Sequence, residues 1–83
     1  MIAVRVLFFA ALRELAGASE QRVVVPAGTS IGGLRVHLES EVPTLRGRLG
    51  TVRFACNEQF VEDAIRLEED DVVALIPPVG GGA

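Results

Sequence analysis

Thr29-Ser30-Ile31-Gly32-Gly33-Leu34-Arg35-Val36-His37-Leu38-Glu39-Ser40-Glu41-Val42-Pro43 lies at the centre of this 83-residue chain and sets its architecture. Thr29-Ser30 supplies an N-cap, because a short hydroxyl side chain can accept from the first free N–H groups of a helix. Ile31, Leu34, Leu38 and Val42 then recur at helical spacing, giving one apolar stripe. Pro43 ends the run, since the residue before a proline is pushed out of the helical region. Gly32-Gly33 weakens the first turn by about 1 kcal/mol per residue relative to alanine. No G-x-G-x-x-G or P-loop spacing accompanies the pair, so close packing of the helix start explains it better than phosphate binding.

Working outward, both flanks read as hairpin-like units. Ile2, Val4, Val6 and Phe8 alternate with Ala3, Arg5, Leu7 and Phe9, the period of a strand. The first set faces the core, which leaves Leu7 and Phe9 on the opposite face. Ala10 to Ala16 is a short helical run with Leu12 and Leu15 on one side and Gly17 as its stop. Gln21 to Val25, closed by Pro26-Ala27-Gly28, gives a second strand that pairs with the first. Beyond the central helix, Pro43 to Gly50 reads as a loop or single turn. Val52, Phe54 and Cys56 alternate with Arg53, Ala55 and Asn57 in a third strand. Asn57-Glu58 turns it into a short return strand, Gln59-Phe60-Val61. Glu62 to Leu67 has no clear pattern. Glu69-Asp70-Asp71 is a polar turn before the last strand, Val72 to Ile76.

Two such units around one long helix imply an α+β sheet with the helix packed across one face. If the first and last strands are central neighbours they run parallel, and the helix belongs to the crossover between them. That is a β-grasp arrangement, with residues 1–76 as the domain and 77–83 as a tail. In the tail, Pro77-Pro78 cannot extend a ladder, and Val79-Gly80-Gly81-Gly82-Ala83 is nearly bare backbone. Extended from Pro77 to Gly82 it would reach about 20 Å from the body. Such a segment could thread a tunnel in another protein and present a carboxyl group there. A frayed terminus is the plain alternative.

Composition narrows the classes. The formal net charge is −3, and the eight basic residues are all arginine. An acidic balance argues against nucleic acid as a partner, and the absence of lysine removes any Schiff-base amine. No apolar run approaches the roughly 20 residues that cross a bilayer, and the start lacks the basic n-region and cleavage site of a secretory leader. Cys56 is the sole cysteine and His37 the sole histidine, which excludes a disulfide framework and a four-Cys or Cys/His metal site within one chain. A cytoplasmic protein without bound cofactor or metal is expected. Acidic residues concentrate between Glu58 and Asp71, where they could steer a basic partner or simply form a solvated turn.

Several stretches resemble the small subunits of molybdopterin synthase. They are Val6-Leu7-Phe8-Phe9-Ala10 followed by Leu12-Arg13-Glu14-Leu15-Ala16-Gly17, the middle segment Ala55-Cys56-Asn57-Glu58, and Asp70-Asp71-Val72-Val73-Ala74-Leu75-Ile76-Pro77-Pro78-Val79 before the glycines. The resemblance spans essentially the whole domain, and the Pro-Pro-Val-x-Gly-Gly ending is its most specific part. It implies a ubiquitin-like β-grasp sulfur carrier whose terminal glycine is adenylated with ATP by an E1-like adenylyltransferase and converted to a thiocarboxylate. It further implies a tail that enters the large synthase subunit and gives its sulfur to cyclic pyranopterin monophosphate, within a heterotetramer of two large and two small subunits. On this resemblance Gly82 carries the thiocarboxylate and Gly81 precedes it, while Gly80, Val79, Pro78 and Pro77 thread the partner. Here Gly82 is followed by Ala83, whereas the family ends at Gly-Gly; removal of Ala83, its direct activation, or a carrier awaiting processing would each account for it.

Phe9, Phe60 and Ile76 are placed on the sheet face away from the helix, as a partner surface rather than scattered hydrophobes. Arg13 matches the family's Arg-Glu motif and is placed near that surface, with a solvated helix arginine as the alternative. Cys56 reads as a small buried core residue, and His37 as the flank of its helix. Arg46, Arg48 and Arg53 read as a solvated basic loop, with an anion site as the sharper option. No base–nucleophile pair is present, so the chain is a protein co-substrate rather than an enzyme by itself. The alternatives are a carrier for thiamine, cysteine or another thio-product, a conjugating modifier, and a β-grasp interaction module without sulfur chemistry.

Overall fold

The computed structural model describes residues 1–78. Strand β1 (Ile2–Phe8) is followed by helix α1 (Ala11–Ala16), strand β2 (Glu20–Val25) and helix α2 (Ile31–Glu41). A 3-10 turn (Pro43–Leu45) leads to β3 (Arg53–Cys56), β4 (Gln59–Phe60) and β5 (Val72–Ile76). The five strands form one mixed sheet in the order β2-β1-β5-β3-β4. β1 and β5 are parallel, with Phe8 opposite Leu75, and the other pairings are antiparallel. First and last strands are therefore central neighbours, as the β-grasp reading requires, and α2 lies in the crossover between them.

The core follows the alternation. Val4, Val6 and Phe8 of β1, Val23 and Val25 of β2, Phe54 of β3, and Val73 and Leu75 of β5 are buried against Ile31, Leu34 and Leu38 of α2. Ile2 is only half-buried at the sheet end. At roughly 1.5–3 kcal/mol for each large apolar side chain removed from water, this single layer is the main source of stability. Two of its members come from the stretch read as a loop. Leu45 and Leu49 are fully buried, so Pro43 to Gly50 closes one end of the core rather than skirting it. Arg35 holds that closure by donating to the carbonyls of Leu49 and Val52, with its other terminal nitrogen 2.7 Å from Asp63 Oδ1. Its guanidinium also sits 4.4 Å from the Phe54 ring centroid, a cation–π contact.

The start of α2 shows what the patternless 62–67 segment does. Ser30 Oγ accepts from Gly33 N–H, while the N–H groups of Ile31 and Gly32 donate to the carbonyls of Ile65 and Asp63 at 2.8 and 3.0 Å. Donors that a helix start leaves unsatisfied are thus paired by a neighbouring backbone. That approach favours Gly32, because a Cβ there would lie 3.3 Å from Asp63 Cβ, tighter than ordinary contact. Close packing is therefore the role of the glycine pair. Leu67 is buried and donates to Thr29 O.

Three local expectations are corrected. Helix α1 begins at Ala11, because Ala10 adopts φ 51°, ψ −131° as its N-cap. Cys56 is half-buried at the rim of the core rather than inside it. Arg53 lies on strand β3, as its alternation with Val52 and Phe54 implies, so its grouping with Arg46 and Arg48 as a basic loop does not hold.

Candidate functional site

With α2 covering one side of the sheet, no element among the described residues covers the other side. Its residues are the off-phase positions of the strands. Cross-strand register aligns Leu7 with Ala74, Ala74 with Ala55 and Ala55 with Phe60. These four form an apolar row across the four strands β1, β5, β3 and β4. An open groove of about 400 Å³ follows this row, lined by Leu7, Phe9, Ala55, Glu58, Phe60, Val72, Ala74 and Ile76. Phe9 and Phe60 stand out from it at 45% and 53% exposure. Small side chains at the middle, Ala55 and Ala74, make the floor; aromatic rings at the ends make the walls. A large exposed apolar surface with a concave centre fits the buried core of a protein–protein contact.

Phe9, Phe60 and Ile76, expected together from alternation, are brought together here. Leu7, Ala55, Val72 and Ala74 complete the groove. The signal for them was the same alternation, applied to every off-phase position rather than to the largest side chains alone. Arg13 is exposed on α1 and does not line the groove. Pro77 and Pro78 leave β5 directly after Ile76, half-buried and exposed respectively. The expected carrier and tail positions Val79, Gly80, Gly81, Gly82 and Ala83 lie outside the described residues.

At the opposite end of the groove a polar network fixes the β3–β4 turn. Asn57 donates through Nδ2 to Asp71 Oδ1 at 3.0 Å, and its Oδ1 accepts from Val72 N–H at 3.0 Å. Asp71 Oδ2 accepts from Glu68 N–H at 2.8 Å. Burial pushes the Asp71 carboxyl up, but hydrogen bonds from the Glu68 amide, the Asn57 side chain and the Cys56 thiol outweigh it and hold it below its ordinary value. Burial pushes the Cys56 thiol up to about 11, helped by the charge and hydrogen bond of Asp71 and by Glu68. A thiol so protonated is a poor nucleophile. Cys56 packs against the rim of the core. His37 is half-buried on the flank of α2, beside β2. Among the described residues no three His, Cys, Asp or Glu side chains converge as a metal site, and no helix is long and apolar enough to cross a membrane.

A mixed sheet with parallel central first and last strands, one helix across one face and an apolar groove on the other, defines a ubiquitin-like β-grasp protein. Residues 6–82 match the ThiS family, and the chain belongs to it. It is 37% identical to the molybdopterin synthase sulfur carrier subunit of Mycobacterium tuberculosis over 83 residues, covering 99% of this chain and 100% of that one. Among solved structures it resembles a putative molybdopterin converting factor subunit 1 from Pyrococcus furiosus, with a TM-score of 0.88 and 26% identity over 95% of this chain and all of the other. It also resembles a chain in the complex of subunits 1 and 2 of the molybdopterin-converting factor from Helicobacter pylori, with a TM-score of 0.72 and 27% identity, covering 98% and 100%.

Proposed function

We propose that this chain is the sulfur carrier subunit of a molybdopterin synthase, acting in the cytoplasm. The observation that carries the reading is positional: the apolar groove ends at Ile76, where β5 releases Pro77-Pro78. A partner seated on the groove therefore receives the segment that follows. Relatives named as sulfur carrier subunits, and a neighbour solved with its second subunit, support a large synthase subunit as that partner.

The chemistry resides in the backbone carboxyl of Gly82, where the family match ends. Hydrolysis of the Gly82–Ala83 peptide bond first frees that carboxylate, which then attacks the α-phosphate of ATP held by an E1-like adenylyltransferase, releasing pyrophosphate. Incoming sulfur then displaces AMP from the acyl adenylate, leaving a thiocarboxylate. Gly80 and Gly81 carry no side chain that would obstruct either partner's active site. In the large subunit, one of a heterotetramer of two large and two small chains, the sulfur passes to cyclic pyranopterin monophosphate. The base and the electrostatic assistance come from the partners, so the chain is a co-substrate.

Intact mass after treatment with a protease that removes Ala83, verified by mass, and incubation with ATP, the cognate activating enzyme and a sulfur donor tests this. The expected product ends at Gly82, with Ala83 removed, and gains ~16 Da as oxygen is exchanged for sulfur on the activated acyl group. An unchanged mass with both partners active refutes sulfur carriage. Ladders of higher mass indicate a conjugating modifier. Loaded carrier that turns over with a thiamine or cysteine pathway acceptor, but not with the large synthase subunit, redirects the product.

A further inference from the structure

An apolar groove does not by itself specify which way round a partner lies in it. Only one orientation delivers the tail, so direction has to be encoded by something other than hydrophobic contact. Two charged side chains flank the row on either side, separated along the strand direction. Arg53 is the register partner of Ile76, at the end where the tail departs. Its guanidinium lies 3.8 Å from the centroid of the Phe60 ring, on the outer wall of the groove. It makes no salt bridge to a described residue. Nor does it donate a hydrogen bond to a described residue, so its N–H donors are available to a carboxylate, which a guanidinium can hold in two parallel hydrogen bonds.

Glu58 stands at the other end, beyond Cys56 of β3, and lines the groove itself. It too has no salt-bridge partner among the described residues. Asn57 and Glu58 have φ of 51° and 73°, the primed turn whose second position favours glycine. A glutamate is therefore held there against the local backbone preference.

We propose that Arg53 and Glu58 form a two-point charge code that orients the docked partner. The partner places a carboxylate on the Phe60-stacked Arg53 beside the tail exit and a cation against Glu58 at the far end, with apolar side chains between. The proposal rests on the groove being the docking site of the large synthase subunit, and it names the chemistry of that subunit's complementary surface. Charge placed this way fixes register and suppresses the reversed encounter more than it adds to bulk affinity.

Titration calorimetry of the full chain with the cognate large subunit, at two salt concentrations, tests it. Arg53→Met keeps a side chain that covers Phe60 but removes the charge. It is expected to weaken binding about tenfold, the effect of losing hydrogen bonds between charged groups, and to flatten the salt dependence. Arg53→Lys recovers part of the affinity but not the bidentate geometry, and Arg53→Glu loses more than Arg53→Met. Glu58→Lys is expected to weaken binding, whereas Glu58→Gly should weaken it while raising the melting temperature. Ala74→Arg, which fills the groove floor, is the control. Binding by Arg53→Met and Arg53→Glu within twofold of the unaltered chain, while Ala74→Arg fails to bind, overturns the charge code and leaves the docking site standing. Unimpaired binding by Ala74→Arg overturns both.

Discussion

Ala10 should be more stable as glycine. It is the first central residue of a turn closed by Leu12 N–H to the Phe9 carbonyl at 3.0 Å, and its φ 51°, ψ −131° are close to the type II′ values that glycine adopts freely. An L side chain held at such angles costs about 1–3 kcal/mol. Glycine removes that cost but adds roughly 0.4–1 kcal/mol of unfolded-state entropy, and it also caps a helix start better than alanine. The balance for Ala10→Gly is a gain of about 1 kcal/mol, or about 4–8 °C in melting temperature for a domain of this size. D-Alanine at position 10, introduced by chemical ligation, favours positive φ without the entropic loss and should gain more. Thermal and urea unfolding followed by circular dichroism of the three chains is the assay. The expected order is L-Ala, then Gly, then D-Ala, with unchanged denaturant slopes. A fall in stability for the glycine chain would refute the turn assignment, because only a residue at ordinary negative φ is harmed by that exchange.

Other consequences are independent of that corner. Leu34→Ala, at a fully buried position of α2, should cost about 2–5 kcal/mol in urea unfolding. Arg35→Met should cost about 2–3 kcal/mol, because the carbonyls of Leu49 and Val52 lose their donor behind the core. Asp71 has its folded carboxyl held low, so its contribution is present above the unfolded carboxylate pKa of about 4 and is lost as pH falls through the folded value. Asp71→Asn should flatten the acid limb of the stability profile, and an unchanged limb would contradict the Asn57 network. Cys56 has the opposite sign. With its thiol raised to about 11, stability is expected to decline as pH rises from about 9 to 11, and iodoacetamide should modify the folded chain slowly at pH 8.

The alternation of Ile2 to Phe9 and of Val72 to Ile76 made the two sheet faces legible from the sequence, because a strand's period cannot assign neighbours to one face. The helical spacing of Ile31, Leu34 and Leu38 made α2 legible for the same reason. What escaped was decided by tertiary partners. Leu45 and Leu49 lie in a stretch with no strand or helix period, and only the Arg35 clamp shows why they turn inward. Residues 62–67 have no period either, since their work is done by backbone carbonyls that any sequence supplies. Arg53 was legible as a strand residue, but its contact with Phe60 was not, because that contact depends on the pairing of β3 with β4 and β5.

Parallel pairing of β1 with β5 then has a consequence for how damage is transmitted. The groove floor at Leu7 and Ala74 and the exit of the tail after Ile76 belong to two of the three strands that are paired on both edges. Each is backed by core residues of the same strands, Val6, Phe8, Val73 and Leu75. Loosening the core by Leu34→Ala should therefore degrade docking and tail presentation together, in proportion to the unfolded fraction, and both should recover when ligand or temperature restores the fold. Removing Gly81 and Gly82 should do the reverse: abolish sulfur transfer while leaving the melting temperature and binding to the groove nearly intact. A truncated chain that melts many degrees lower would mean those glycines belong to the packed body, and the separation of scaffold from leash would be wrong.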